Sequence, residues 1–243
     1  MKKLTITLVL AATVAVCAGQ ASAFAPATRA MGYFSLGLHV NDMKEFQARV
    51  DRGSIGYPAE TKNYLVIGGG GLFCGRRLVV GGEGFVLSSP QRVGGGYRTS
   101  LSGAYGVFQV GYALVNAERF TIYPLLGFGG GAFTWRVQRD VVPSSFEETI
   151  ERPEMGVSLL NASFILQAAL GADYWLRLGQ GERGTSCLVI GLRLGYTYSP
   201  FGDNWELQMY DQASELAGGP TLGITGPFLR LVVGWGGLGR NRR

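Results

Sequence analysis

The sequence predicts an all-β fold, an eight-stranded antiparallel transmembrane β-barrel. Three observations carry that expectation. Eight apolar segments alternate oily residues with polar or small ones at a period of two. The connections between them alternate between short and long. Gly supplies 39 of 243 residues and sits inside the oily segments, where each would cost a helix interior about 1 kcal/mol.

The chain opens outside this scheme. Met1 to Ala23 reads MKKLTITLVLAATVAVCAGQASA: two lysines, an apolar stretch from Leu4 to Val16, then Ala21-Ser22-Ala23. That is the pattern of a secretory signal peptide cleaved after Ala23, leaving residues 24–243 as one barrel domain. Val16 is bulkier than a lipoprotein site prefers, which disfavours lipidation at Cys17. No later stretch reaches ~18 consecutive apolar residues, so no membrane-spanning helix is expected.

The segments fall roughly at 31–40, 64–74, 77–87, 98–115, 119–137, 160–178, 185–199 and 223–236. In the first, Phe34, Leu36, Leu38 and Val40 oppose Ser35, Gly37 and His39. In the sixth, FILQAALGADYWLRL, the even positions are wholly apolar, while the odd ones carry Gln167, Asp173 and Arg177. A helical stripe also fits this segment locally. The seventh decides the reading: Leu188, Ile190, Leu192, Leu194, Tyr196 and Tyr198 alternate with Val189, Gly191, Arg193, Gly195 and Thr197, a poor helix and a good two-faced strand. In segments two to four glycines blur the two faces. Pro124 removes a ladder donor from segment five, where a bulge is expected.

The links after segments two, four and six are short. Those after one, three, five and seven run to about 23, 12, 22 and 24 residues, as expected if short turns face the periplasm and long loops the exterior. Aromatics gather near both rims. Phe73, Tyr112, Phe120, Tyr174, Trp175 and Trp235 fall at the short-turn end; Tyr64, Tyr97, Phe133, Trp135, Tyr196 and Tyr198 fall at the long-loop end. Two interfacial girdles are the expected reading. In the first long loop, NDMKEFQARV has Asp42 three residues before Glu45, and Met43, Phe46 and Val50 share one face. This reads as a capped amphipathic helix, first a turn packed on the barrel rim, with covering the mouth or touching lipid headgroups as its functional alternatives. VVPSSFEETIERPE, in the third, is the expected partner-binding surface.

Eight strands give a lumen that side chains can fill. The candidate lumen network comprises His39, Glu83, Gln167, Asp173, Arg177, Arg193 and Arg230, with Ser35 and Gln109 on the same inward face. Buried charge is costly unless paired, so an internal ion network is expected. Cys74 and Cys187 are two thiols or one incidental bridge. No cofactor, metal or catalytic group is expected. His39 is the only histidine, which excludes multi-histidine metal centres. GFGGGA from Gly127 matches a dinucleotide fingerprint but continues as a strand rather than opening a helix. The formal net charge of +5, which includes two leader lysines, is too mild for a nucleic-acid binder.

With leader, strands and loop pattern in view, the whole mature chain resembles the small eight-stranded outer-membrane barrels of diderm bacteria, the OmpA-, OmpX- and OmpW-like class. The resemblance is architectural. It implies residence in the outer membrane, contact with membrane lipid and lipopolysaccharide, delivery by the barrel insertion machinery, and a monomer. Such barrels usually end on an aromatic residue; here Trp235 takes that place, and the basic GGLGRNRR follows it. The functional expectation is a non-enzymatic structural anchor or surface-exposed interaction protein with a plugged lumen. One alternative is small-ligand binding or transport at the mouth, near Arg193 and Arg230. Another is a lipid A-modifying acyl hydrolase or transferase, with His39 activating Ser88, Ser89 or Ser199.

Overall fold

A computed structural model describes residues 29–52, 57, 62–140, 156–181, 184–200, 202–209, 212–216 and 218–239. The leader, the VVPSSFEETIERPE loop and the basic tail after residue 239 lie outside the described residues. The chain runs β1 (Arg29–Val40), α1 (Lys44–Asp51), β2 (Asn63–Gly75), β3 (Leu78–Ser88), β4 (Arg92–Gly94), β5 (Tyr97–Tyr112) and β6 (Val115–Asn116). It continues with β7 (Phe120–Arg139), β8 (Val157–Gly181), β9 (Gly184–Tyr198), β10 (Trp205–Met209), β11 (Gln212–Leu216) and β12 (Gly226–Leu238).

Eight of these strands close a ring. Antiparallel pairs join β1 to β2, β2 to β3, β3 to β5, β5 to β7, β7 to β8, β8 to β9, β9 to β12, and β12 back to β1. Stepping across Cα partners from Arg29 passes Cys74, Val79, Gly111, Leu125, Ala169, Gly195 and Phe228, and returns to β1 at His39. The ring thus closes with a stagger of ten residues, Arg29 to His39, which tilts the strands by ~40° to the barrel axis.

The segments expected from alternation are these eight strands. β7 and β8 run longer than their apolar stretches because their outer ends pair with each other and with β10. Together with β4, β5 and β11 they make a sheet that rises beyond the closed wall on the long-loop side. Pro124 makes no bulge. It sits where the β5–β7 ladder stops at Gly111–Leu125 and before the β6–β7 pairing begins at Val115–Ile122, so no donor is needed there. The shift in register falls instead between Arg177 and Gly179 on β8.

Outside, the wall is a belt of exposed Phe34, Leu36, Leu38, Leu126, Phe128, Leu170, Leu194 and Leu231, with Leu126 at 70% exposure. In water such a belt would drive aggregation. In hydrocarbon it is the required face, and ring closure leaves no edge of unpaired backbone. No helix among the described residues is long and apolar enough to cross a membrane; the strands cross it.

Only part of the expected girdles faces that belt. Tyr112, Phe120, Tyr174 and Trp235 are exposed at the short-turn rim, and Tyr196 and Tyr198 at the other. Trp175, Tyr64, Phe133 and Trp135 are buried inside. Their strand parity decides this, because the outward residues of β7 and β8 are even-numbered and those of β2 are odd-numbered.

The many glycines answer to the narrow lumen. A Cβ at Gly171 would lie 2.5 Å from the Tyr123 ring, and one at Gly68 would lie 2.2 Å from Phe85. Each absent methyl admits an aromatic ring from a neighbouring strand, so glycine and aromatic interlock around the interior.

Candidate functional site: the lumen and its outer cap

The interior has three levels: an apolar cluster at each end and an ionic layer between them. The layer centres on Glu83, which projects inward from β3 and is fully buried. Its carboxylate accepts five hydrogen bonds. Tyr33 Oη donates at 2.8 Å, Gln109 Nε2 at 2.7 Å and Gln167 Nε2 at 2.9 Å. Arg193 Nη1 donates at 2.8 Å and Arg230 Nη1 at 2.9 Å, each forming a buried ion pair. The donors come from β1, β5, β8, β9 and β12, so one anion ties together strands on every side of the lumen.

Aromatic rings complete this layer. The Arg230 guanidinium lies between Phe85 at 3.8 Å and Phe228 at 3.7 Å, and it also donates to Tyr105 Oη. Arg193 stacks on Tyr33 at 4.1 Å. Tyr123 Oη donates to Asp173 Oδ2 at 2.5 Å. Two buried cations thus stand beside two buried carboxylates, with cation–π contact covering the guanidinium faces.

Beneath this layer, Met31, Leu72, Cys74, Val79, Tyr123, Leu125, Trp175, Cys187 and Val189 fill the inner half. Arg29 closes the inner end. It donates to Thr121 Oγ1 and to the Ala117 carbonyl, both at 2.5 Å, and lies 5.4 Å from the Trp175 ring. Cys74 and Cys187 are free, buried thiols rather than a bridge. A cavity of about 10 Å³ remains here, no larger than a single water.

Above the layer, α1 folds over the outer mouth. Phe46 is buried, stacked on Trp205 at 5.9 Å and edge-on to Trp135 at 5.2 Å. Met43, Tyr64, Phe133, Leu222 and Ile224 pack around it, with Val50 at the margin. The helix therefore covers the mouth, the functional alternative to the simple rim packing that was the leading expectation. Its cap differs from the expected box: Met43 is the N-cap and has no side-chain cap bond, while Asp42 Oδ1 accepts from the Lys44 amide at 3.2 Å.

Of the residues singled out in the sequence, Glu83, Gln167, Asp173, Arg193 and Arg230 meet in the layer, with Gln109. Ser35 is buried in the same wall. Arg177 stands apart. β8 leaves the lumen where its register shifts, and Arg177 pairs instead with Glu118 at 2.5 Å on the inner rim. His39 is fully buried and stacks against Phe228 at 6.5 Å, and among the described residues neither ring nitrogen has a hydrogen-bond partner. Ser89 and Ser199 donate to the carbonyls of Leu101 and Phe164 at 2.9 and 3.0 Å, and Ser88 is exposed. No serine–histidine hydrogen bond forms among the described residues, and GFGGGA lies within β7 as extended chain.

Tyr33, Tyr105 and Tyr123 were not among the expected network, yet their parity matches that of the inward polar residues on their strands. That parity was a usable signal. Phe46 was legible as part of the apolar face of the first-loop helix, but Trp205 had no signal beyond being apolar, because the two meet only through the folded loops.

No family model matches the chain, and no curated protein does. Among solved structures it is similar to Ail, the attachment invasion locus protein of Yersinia pestis. That likeness has 13% identity and a TM-score of 0.43, and covers 86% of this chain and 98% of Ail. It is also similar to the outer membrane protein AlkL in lipid bilayers, at 13% identity and a TM-score of 0.31, covering 88% of this chain and 90% of AlkL. The fold assignment rests on the closed ring of strands and its apolar exterior.

Proposed function

We propose that the protein is a non-enzymatic outer-membrane barrel, a monomeric anchor that holds an outward sheet and its loops at the cell surface. The observation that carries this reading is the occluded lumen. An ionic layer and two apolar clusters occupy it among the described residues, and the cavity at its inner end, beside Trp175 and Tyr123, holds about 10 Å³. Such a wall is a rigid mount rather than a conduit. The segments free to recognise partners are then the loops above the membrane. Trp235, three residues before the end of the closing strand and 60% exposed, is the aromatic offered to the insertion machinery.

The filled lumen argues against small-ligand transport near Arg193 and Arg230, since both guanidinium groups are engaged with Glu83. The test combines gel mobility with conductance. The unboiled protein should migrate faster than the boiled one and should show no conductance above background in planar bilayers. Steady single-channel currents from the wild type would reject the anchor reading, and extraction into buffer without detergent would reject the membrane barrel altogether.

A further inference from the structure

We infer that the outer end of the β5–β7 wall is a docking face for one phosphate-bearing lipid of the outer leaflet, a proposal that rests on the outer-membrane reading above. Cross-strand partners share a face of the sheet, so the outward column can be followed pair by pair. From the inner rim it runs Val110–Leu126, Phe108–Phe128, Gly106–Gly130, Ala104–Ala132, Ser102–Thr134, Ser100–Arg136 and Arg98–Gln138. The chemistry changes along it from large apolar, to small, to hydroxyl, to cationic.

Height places these changes. At ~3.3 Å per residue and a tilt of ~40°, Arg136 stands roughly 30 Å above Tyr112 at the inner rim. The apolar band of such barrels is ~25 Å tall, so Arg98 and Arg136 reach the level of the outer phosphates. Arg98 is tethered to Asp140 at 2.7 Å and retains 37% side-chain exposure. Val93, its partner on β4, is 58% exposed beside it. Arg136 is exposed on the same face. On the far flank of the extension the outward charges are acidic, with Glu206 opposite Glu215. The cations are therefore one-sided, and the complementary group is an anion in the adjacent leaflet.

Below the arginines lies a smooth trough. Gly84 pairs with Gly106, which pairs with Gly130, and Ala104 pairs with Ala132. Unlike the inward glycines, these are not required by neighbours. A Cβ would have no atom nearer than 3.8 Å at Gly84, Gly106 or Gly130. A trough of bare backbone below two arginines and the hydroxyls of Ser100, Ser102 and Thr134 fits acyl chains beneath a phosphorylated sugar head.

The experiment reconstitutes the full barrel with either bisphosphorylated or dephosphorylated lipid A and counts retained lipid by native mass spectrometry. The wild type should retain the phosphorylated form preferentially. R98Q and R136Q should each reduce that retention by roughly fivefold, the factor expected for a cation at a phosphate surface. R136K should restore most of it, and R76Q/R77Q at the opposite rim should leave it unchanged. Excess inorganic phosphate should not displace the lipid. Equal retention of the two lipids, an unaffected R98Q/R136Q variant, or displacement by free phosphate would each overturn the site. Heat-modifiable mobility, scored on the same samples, separates this outcome from failure of the barrel reading itself.

Discussion

Glu83 on β3 and Arg230 on β12 meet at 2.9 Å in the centre of the lumen, although 147 residues separate them in the chain. Arg193 approaches the other carboxylate oxygen at 2.8 Å, and Tyr33 of β1 donates to that same oxygen. The seam between the first and last strands is therefore clasped from within by an anion on the third.

Replacing that anion isolates its partners. Glu83→Gln leaves two buried guanidinium groups with one remaining carboxylate nearby, and removing one partner of a buried pair costs about 3–5 kcal/mol. Chemical unfolding in lipid vesicles, followed by tryptophan fluorescence, should show that loss. A second change, Arg230→Met, should recover part of it, giving a coupling energy well away from zero. A loss below ~1 kcal/mol for Glu83→Gln would mean that the clasp contributes little.

The outer cap should come away without opening the barrel. Phe46→Ala removes a ring packed between Trp135 and Trp205, a change that costs about 3–5 kcal/mol in a close-packed core. The cost is local to α1, so trypsin should nick the chain at Arg49 or Arg52 much faster than in the wild type. Gel mobility and background conductance should stay unchanged, because the Glu83 layer beneath still closes the lumen. Conductance appearing in this variant would place the seal in the cap instead.

Two glycines on opposite faces should respond oppositely. A Cβ at Gly129 would stand 1.9 Å from the Gly106 carbonyl oxygen, whereas one at Gly84 meets nothing nearer than 3.8 Å. Gly129→Ala should destabilise the barrel by about 1–3 kcal/mol. Gly84→Ala should be neutral or stabilise by about 0.5 kcal/mol, through lowered freedom of the unfolded chain. Midpoints of urea unfolding would rank the two, and equal effects would contradict the assigned faces.

Tryptophan quenching reads the same faces directly. In single-tryptophan variants, brominated lipid should quench Trp235, which is 60% exposed, and spare Trp175, which is 3% exposed. Strong quenching of Trp175 would put it back in the girdle that its position near the rim first suggested.

Period-two alternation determined the eight strands before any contact was known. A strand presents successive side chains to opposite faces whatever its neighbours are, so LVIGLRLGYTY around Arg193 and the stretch around Asp173 could be assigned inward and outward directly. The same parity placed Glu83, Gln109, Gln167 and Arg230 inside. Nearness to a rim, by contrast, says nothing about face. That is why Trp135, Phe133, Tyr64 and Trp175 were expected among lipid-facing aromatics and are instead packing within.

Tertiary structure alone decided which inward groups meet. Partner choice across a lumen depends on the ring's stagger, and stagger is a property of the closed wall that no single segment carries. It brings Glu83 to Arg193 and Arg230, leaves Arg177 with Glu118 on the rim, and lets Tyr123 occupy the space vacated at Gly171. The loops complete the division: an eight-residue helix is amphipathic in sequence, but only the folded mouth seats Phe46 between two tryptophans. Short-range periodicity survives without a fold; contacts between residues distant in the chain exist only once closure has fixed their relative heights.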